Sequence, residues 1–212
     1  MNPKQIFYEK QAASILRHLE KRQIKGFYCP TRQDAVTTAM SLTAPNTTVC
    51  FGGSMSLIES GVMDALKERT DITLLDRSQA KTPEEIKQVY RSAFCADTYF
   101  MSTNAITSDG QLINIDGNGN RVAALIYGPE QVIVIAGMNK VVPTAEDAVR
   151  RVQNMATPPN CIRLNLNAPC ASTGVCADCL SENCICSQIV ITRRSRTAER
   201  IKVLLVGEEL GY

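Results

Sequence analysis

The 212-residue sequence predicts an α/β fold, in which an open mixed sheet carries helices on its faces. Strand-like and helix-like segments alternate up to residue 101, which favours parallel strands linked by helices. From residue 104 onward, short strands are joined by turn sequences, which favours hairpins. The composition is that of a folded chain, since 44% of the residues are hydrophobic and 21% are charged.

The first part of the chain contains four predicted helices and four predicted strands. Ala12, Ile15 and Leu19 have helical spacing, and Thr82 with Pro83 and Glu85 forms a strong helix start. The predicted helices cover residues 4–24, 31–43, 54–69 and 82–95. The predicted strands cover residues 26–29, 47–51, 71–75 and 98–101.

The second part is predicted to contain hairpins, one further helix and two late strands. The hairpin strands are expected at residues 104–107, 111–115, 122–127 and 131–136. A capping pattern at Thr144 and Asp147 begins a helix over 144–156, and strands follow at 188–192 and 202–206. We expect one domain over residues 1–212, which includes a cysteine-rich segment at 161–186.

Nine cysteines are the unusual feature of the composition. Because their number is odd and the N-terminal residues do not resemble a secretory signal, we expect reduced thiols and a cytoplasmic protein. No apolar run reaches the roughly 18 residues of a membrane span. The net charge of +2 is too small to favour nucleic acid binding. We therefore expect neither a membrane nor a nucleic acid as partner, and a homo-oligomer stays open.

The cysteine-rich segment is a candidate metal site. A CxxC pair brings two thiolates to one metal, and flanking cysteines can complete a tetrahedral zinc site or hold an iron–sulfur cluster. A redox-active dithiol and unligated thiols that pack a loop are the alternatives. The thiols concerned are Cys170, Cys176, Cys179, Cys184 and Cys186.

A glycine turn follows the second predicted strand and is a candidate anion site. Gly52, Gly53 and Ser54 stand between this strand and a helix, where free backbone N–H groups favour a phosphate or a carboxylate. The alternative is local, because Ser56 and Glu59 have the spacing of a capping box. The sequence matches neither the P-loop nor the dinucleotide fingerprint.

Polar residues are also concentrated between residues 104 and 121, which is typical of a pocket for a polar ligand. The candidate binding residues are Asn104, Asn114, Asp116, Asn118, Gly119, Asn120 and Arg121. Two hairpin turns are the alternative explanation. A calcium loop is not expected, because its sixth position is Arg121 and its twelfth is Tyr127.

Three segments together resemble the LUD domain family of bacterial lactate-utilisation proteins. They are NAITSDGQLINIDGNGNRVAALIYGPEQVIVIAGMNKVV at 104–142, FGGSMSLIESGVMDAL at 51–66 and TGVCADCLSENCIC at 173–186. The resemblance implies a fold like that of ribose-5-phosphate isomerase and CoA transferases. It also implies a role in L-lactate oxidation beside iron–sulfur partner subunits. Family members often carry Arg at the position of Cys184, which favours Cys186 as the fourth metal ligand.

Three hypotheses of function follow. In the first, the chain is an accessory or ligand-binding component in the oxidation of lactate or a related hydroxy acid, and Lys140 adds positive charge to a site for a small anionic metabolite. In the second, it is an isomerase or acyl-transfer enzyme. Glu59 or Asp109 is then the general base, and Lys140 or Arg121 stabilises an enolate. In the third, the cysteine segment makes it an electron-transfer or assembly module.

Overall fold

The strands of the protein divide into a main sheet and a smaller sheet in a computed structural model, which describes residues 2–212. In chain order they are β1 (Lys25–Cys29), β2 (Thr48–Phe51), β3 (Thr73–Leu75), β4 (Thr98–Met101), β5 (Ala105–Thr107), β6 (Leu112–Asp116), β7 (Gln131–Gly137), β8 (Val141–Val142), β9 (Gln188–Thr192) and β10 (Ile201–Val206). The main sheet has the order β1-β10-β7-β4-β2-β3, and every pair in it is parallel. The smaller sheet has the order β8-β5-β6-β9 and is mixed.

Helices connect these strands and cover the main sheet. They are α1 (Pro3–Lys21), α2 (Arg32–Ser41), α3 (Met55–Glu59), α4 (Val62–Glu68), α5 (Pro83–Ser92), α6 (Asn120–Ile126), α7 (Ala145–Arg151), α8 (Thr157–Arg163) and α9 (Pro169–Thr173). Single 3₁₀ turns lie at Arg77–Gln79, Ala93–Cys95 and Met138–Lys140, and a π-helical turn at Val152–Ala156 joins α7 to α8. The predicted α/β fold with a largely parallel sheet is confirmed.

The central strand β7 shows why the main sheet needs helices on both faces. Its side chains alternate between two apolar clusters, with Val132 and Val134 in one and Ile133 and Ile135 in the other. All four are fully buried. Such continuous apolar strands are typical of parallel sheets, because helices remove both faces from water. The first cluster includes residues of α1 and α6, and the second includes residues of α2, α3 and α4.

The strand predicted at residues 122–127 is wrong, because this segment forms helix α6. A short apolar run does not by itself distinguish a buried helix from a strand. Gly119 begins the helix with a left-handed backbone (φ 78°), which glycine adopts without a steric penalty. The segment also contains Ala123 and Ala124, which favour the helix. The chain therefore turns away from the smaller sheet after β6.

Two further predictions from the sequence differ from the observed structure. The helix predicted over residues 54–69 is divided into α3 and α4 at Gly61, whose φ of 80° ends one helix before the next begins. Strand β7, expected in a hairpin, instead lies between β10 and β4 in the parallel sheet. The predicted start of α5 is confirmed, since Thr82 and Glu85 form a capping box there.

No helix among residues 2–212 is both long enough and apolar enough to cross a membrane. The longest, α1, buries one stripe of side chains, which includes Ala12, Ile15 and Leu19, and leaves mostly polar side chains exposed, together with Ile6 and Phe7. Its apolar stripe packs on the main sheet beside β1.

The buried face of β10 gives a prediction about stability. Leu204 is fully buried in the second cluster, so Leu204→Ala leaves a cavity and should lower the free energy of unfolding by about 3 kcal/mol. Ile126→Ala, at a side chain that is 62% exposed, should change it by less than about 0.5 kcal/mol. Urea unfolding measures both, and equal effects would contradict the assigned core.

Candidate functional site

A cavity of about 310 Å³ lies between the two sheets, at the carboxyl ends of several strands. Gly53 and Ser54 follow β2, Ser102 and Thr103 follow β4, and Arg77 follows β3. The parallel arrangement brings these strand ends to one edge of the main sheet, where ligands bind in open α/β proteins. Residues that follow β6 and residues of α8 complete the walls.

Arg121 is the most extensively bonded side chain of the cavity wall. Its two terminal nitrogens donate hydrogen bonds to the Ser102 and Ile115 carbonyl oxygens and to the Asn114 and Asn104 side-chain oxygens, over 2.5–3.1 Å. Its Nε lies 3.3 Å from Asp116 Oδ2 in an ion pair. Four of the five N–H groups therefore donate hydrogen bonds to protein acceptors, and the fifth, on Nε, faces Asp116 Oδ2 without forming a hydrogen bond to it. The guanidinium adds charge to the cavity, while its N–H groups are directed at protein atoms.

Lys140 points its amine into the same cavity and has no carboxylate partner. Nζ donates to Ser56 Oγ at 2.8 Å, to Ser102 Oγ at 3.1 Å and to the Thr103 carbonyl oxygen at 3.3 Å. The residue is only 4% exposed. Burial, followed by the positive charges of Arg151 and Arg121, lowers the pKa of Lys140 to about 7. Much of the amine is therefore neutral at physiological pH.

Arg77 is a third cation at the cavity, opposite the glycine turn. Its Nη1 donates to the Tyr90 hydroxyl at 2.9 Å, and the guanidinium lies over the Tyr90 ring. A Cβ on Gly53 would come within 2.3 Å of Arg77 Nη2, and a Cβ on Gly52 would meet the Tyr99 hydroxyl and the stem of Arg121. The two glycines thus leave room beside the end of β2 for the Arg77 guanidinium and the stem of Arg121.

The charge of the cavity wall is unbalanced. Arg77, Arg121, Lys140 and Arg163 line it, whereas Asp116 is the one acidic side chain among the lining residues that the structure describes. Arg151 stands behind the wall, where it donates to backbone carbonyls of Asn104, Asn139 and Tyr212. Buried positive charge without matching negative charge is costly for the fold. The arrangement favours an anion in the cavity.

The structure brings together most of the binding residues predicted from the sequence. Those that line the cavity are Gly53, Ser54, Asn104, Asp116, Asn118, Asn120, Arg121 and Lys140. Gly52, Asn114 and Gly119 lie behind the wall and do not line it. Asn114 is fully buried against Arg121, and Gly119 donates its N–H to Asp116. Ser54 caps α3, but this helix has only five residues, so the cation side chains and not the helix start give the site its charge.

Neither carboxylate predicted as a general base lines the cavity. Glu59 accepts a hydrogen bond from the Gly211 N–H at 2.6 Å and so fixes the segment Leu210–Tyr212, whose last two residues contribute to the wall. Asp109 forms an ion pair with Arg22 in the turn after β5. Although partial burial opposes the shift, hydrogen bonds with Thr107 and Gln111 and the charge of Arg22 lower the pKa of Asp109. Both carboxylates hold neighbouring segments of the chain.

Sequence reasoning missed several residues that define the cavity. Arg77 stands in a polar stretch with no motif, and Ser102 and Thr103 follow a strand without a glycine signal. The spacing of Ser56 and Glu59 in the sequence predicts only a helix cap at Ser56, yet the Ser56 hydroxyl contacts Lys140. The sequence signal that could have identified these residues is their position directly after predicted parallel strands, because polar residues at such positions meet at one edge of the sheet.

The cysteines of the predicted metal site lie in two environments, one buried and one partly exposed. Cys170 is buried beside Cys161, with their Sγ atoms 3.8 Å apart, while Cys176, Cys179 and Cys186 are partly exposed. Burial and the neighbouring Cys170 raise the pKa of Cys161 to about 12. Within residues 2–212, no three or more His, Cys, Asp or Glu side chains are placed to hold a metal ion. The metal site therefore stays a prediction.

The buried amine predicts a pH-dependent stability. The pKa of Lys140 is lower in the folded protein than the 10.5 of a free lysine, so the unfolded chain binds more protons between these two values. The free energy of unfolding should therefore rise with pH over this range, by about 1.4 kcal/mol per unit, and this contribution should be absent in Lys140→Met. Urea unfolding of both proteins at pH 8 and pH 9 measures the difference. If the free energy of unfolding changes equally with pH in the unaltered protein and in Lys140→Met, Lys140 is not desolvated.

Known proteins provide an independent comparison. A family model described as the LUD domain matches residues 12–206. Among solved structures, a DUF162 family protein from Deinococcus radiodurans is similar, with a TM-score of 0.51 and 11% identity over 94% of this chain and 98% of that chain. Ribose 5-phosphate isomerase A from Neisseria gonorrhoeae has a TM-score of 0.35 and 16% identity over 55% of this chain and 57% of that chain. The protein eIF2B delta from Chaetomium thermophilum has a TM-score of 0.33 and 19% identity over 66% of this chain and 54% of that chain.

Among curated proteins, none matches this chain. The family model nevertheless covers most of the sequence, and it includes both the glycine turn after β2 and the polar segment around Arg121. The shared fold with the Deinococcus protein extends over nearly the full length of both chains. The chain therefore belongs to the LUD domain family.

Proposed function

We propose that the cavity binds a small organic anion, and that the protein is thereby an accessory, ligand-binding component in the utilisation of L-lactate or a related hydroxy acid. The observation that carries the proposal is the set of three arginines and one lysine against one acidic side chain on the cavity wall. The family supplies the metabolic context, together with iron–sulfur subunits as the proposed partners that accept electrons.

The energetic case for an anion depends on burial. Arg121 and Lys140 are largely withdrawn from water, so water screens their charges weakly. A unit charge about 4 Å from another contributes roughly 4 kcal/mol at an effective dielectric constant of 20, against about 1 kcal/mol in water. An anion between these cations would gain the larger interaction and offset the repulsion among them.

The size of the cavity restricts the ligand. A volume of about 310 Å³ is at the lower end of the range for small-molecule sites. It suits a carboxylate of a few carbon atoms or a sugar phosphate better than a nucleotide cofactor. The polar wall also supports a hydroxylated or phosphorylated metabolite over an apolar one.

The side chains available for direct contact differ from those that supply charge. Arg121 has its N–H groups occupied, whereas Arg77 uses one nitrogen for Tyr90 and keeps others for a ligand. Asn118 and Asn120 also line the cavity. We assign ligand contact to Arg77 and these amides, and the positioning of the wall to Arg121.

An isomerase or acyl-transfer reaction on such a ligand is the second candidate function. The observation that favours it is Lys140, an amine inside the cavity that pairs with no carboxylate. A lysine with a lowered pKa can act as a base at neutral pH. In this version Lys140 replaces Glu59 and Asp109 in the proposed role of base, because neither carboxylate lines the cavity.

Ligand binding should depend on the charge of Arg77. At saturating concentrations of a true ligand among L-lactate, pyruvate, inorganic phosphate and ribose 5-phosphate, the melting temperature should rise by several degrees, on the order of 5 °C. Arg77→Gln removes one contact and should abolish most of this shift. Differential scanning fluorimetry measures it.

Arg91→Gln is the matched control, since Arg91 is exposed on α5 and outside the cavity. Arg91→Gln removes the same charge from the protein as Arg77→Gln. If the ligand-induced rise in melting temperature falls equally in both variants, it reflects the net charge of the protein and not the site. The absence of a shift with all four compounds would overturn the proposed anion site.

The metal site is tested separately from the cavity. If Cys170, Cys176, Cys179 and Cys186 bind zinc or an iron–sulfur cluster, protein purified without oxygen should contain stoichiometric metal, and Cys176→Ser with Cys186→Ser should lose it. Elemental analysis measures this content. Cys95→Ser, at an exposed cysteine outside the segment, should keep it.

A further inference from the structure

We infer that Lys140 is a nucleophilic amine that forms an imine with its ligand, and that the ligand is therefore a small carbonyl compound that also carries a carboxylate or a phosphate. The inference rests on the proposed anion site and names its substrate class. It assigns to Lys140 a covalent role in addition to its charge.

The contacts of Lys140 are suited to a reactive amine. Its three partners are two hydroxyl groups and one carbonyl oxygen, at 2.8, 3.1 and 3.3 Å. None of them is charged, so none holds the amine permanently in its protonated form. A structural lysine this deeply buried is usually paired with a carboxylate. Lys140 lacks such a pair, yet it lies on the wall of an open cavity.

The neighbouring charges also favour the neutral amine. Arg121 and Arg151 stand close to Lys140, and the nearest carboxylate that acts on it, Glu59, has a weaker effect. Ser102 links two of these groups, because its carbonyl oxygen accepts from Arg121 while its hydroxyl accepts from Lys140. Desolvation beside another cation is an established way to activate a lysine for attack on a carbonyl group.

The proposed step is balanced without an oxidant or a reductant. The lone pair of Nζ forms a bond to the carbonyl carbon, and one Nζ proton passes to the carbonyl oxygen to give a carbinolamine. The second Nζ proton passes to the hydroxyl group, which leaves as water, and a C=N bond replaces the C=O bond. The Ser56 and Ser102 hydroxyls, both within 3.1 Å of Nζ, are placed to relay these protons.

The cation set explains why the carbonyl compound should be an anion. Arg77 lies on the same cavity wall and can hold a carboxylate or a phosphate while the carbonyl carbon faces Nζ. A 2-oxo acid and a keto phosphate both satisfy this requirement. Pyruvate and dihydroxyacetone phosphate therefore represent the two anion types.

Borohydride trapping tests the inference. The purified protein is incubated with pyruvate or with dihydroxyacetone phosphate and then reduced with sodium borohydride, and the modified peptide is identified by mass spectrometry. We expect one reduced adduct per chain, on Lys140, with at least one of the two compounds. Lys140→Met should reduce the yield by about tenfold or more, because it removes the nucleophile.

Lys202→Met is the matched control, because Lys202 is a partly buried lysine of β10 that bonds to the Glu199 carbonyl, away from the cavity. It should keep the full adduct. Ser102→Ala retains the amine but loses a relay hydroxyl, so its adduct should form more slowly. Circular dichroism confirms that each variant is folded.

The outcomes separate this inference from the proposed function. A melting shift with pyruvate or dihydroxyacetone phosphate, but no adduct on Lys140, would overturn the imine and leave the anion site standing. Adducts spread over exposed lysines, or unchanged in Lys140→Met, would also overturn it. Neither shift nor adduct with any of the compounds would overturn both proposals.

Discussion

The hydrogen bonds of Arg121 are the interaction on which the rest of the structure depends. This one guanidinium binds the end of β4 through Ser102, the start of β5 through Asn104, and β6 through Asn114 and Ile115. It thus joins the main sheet to the smaller sheet at the point where the cavity opens. A buried charged group stabilises a structure when most of its N–H groups are hydrogen-bonded, and here four N–H groups donate hydrogen bonds while the fifth faces Asp116 in an ion pair. Because these N–H groups are directed at protein atoms, Arg121 would act on the proposed ligand through its charge more than through direct contact.

The positive charge of the cavity conflicts with the stability of the fold. Arg151 and Lys140 are buried close to Arg121, and the pKa values of all three are lowered, first of all by burial. Sites that break the usual rule of paired charges are commonly functional, because the cost is recovered when a ligand binds. Lys140 relieves part of the conflict by giving up its proton, which is also what the proposed role of base or nucleophile requires.

The cysteine-rich segment contributes to the cavity even without a metal. Ile185 of this segment lines the wall and packs against Gly117, in the loop after β6. The buried pair Cys161 and Cys170 joins α8 to α9, and Arg163 at the end of α8 also lines the wall. A change in the state of these thiols would therefore act close to the proposed ligand site. This proximity connects the two features that the sequence presents as separate.

Local patterns in the sequence were sufficient for the alternation of strands and helices, for the capping box that begins α5 and for the family. Local patterns also predicted the polar residues that follow β2 and β6. This was possible because a motif such as the glycine turn lies within a few consecutive residues. The same patterns failed at α6, where a short apolar run is compatible with either helix or strand and the tertiary context decides.

The composition of the cavity was decided by the tertiary structure. Lys140 meets Ser56 across 84 residues of chain and Ser102 across 38, and no periodicity connects positions so far apart. Glu59 and Asp109 have the chemistry of a base, but the fold uses them to hold Gly211 and Arg22. The sequence determined which chemical groups exist and most of the secondary structure that carries them. The packing of two sheets around one arginine decided which of these groups share a cavity, because burial and distance, and not residue type, set their charge and their partners.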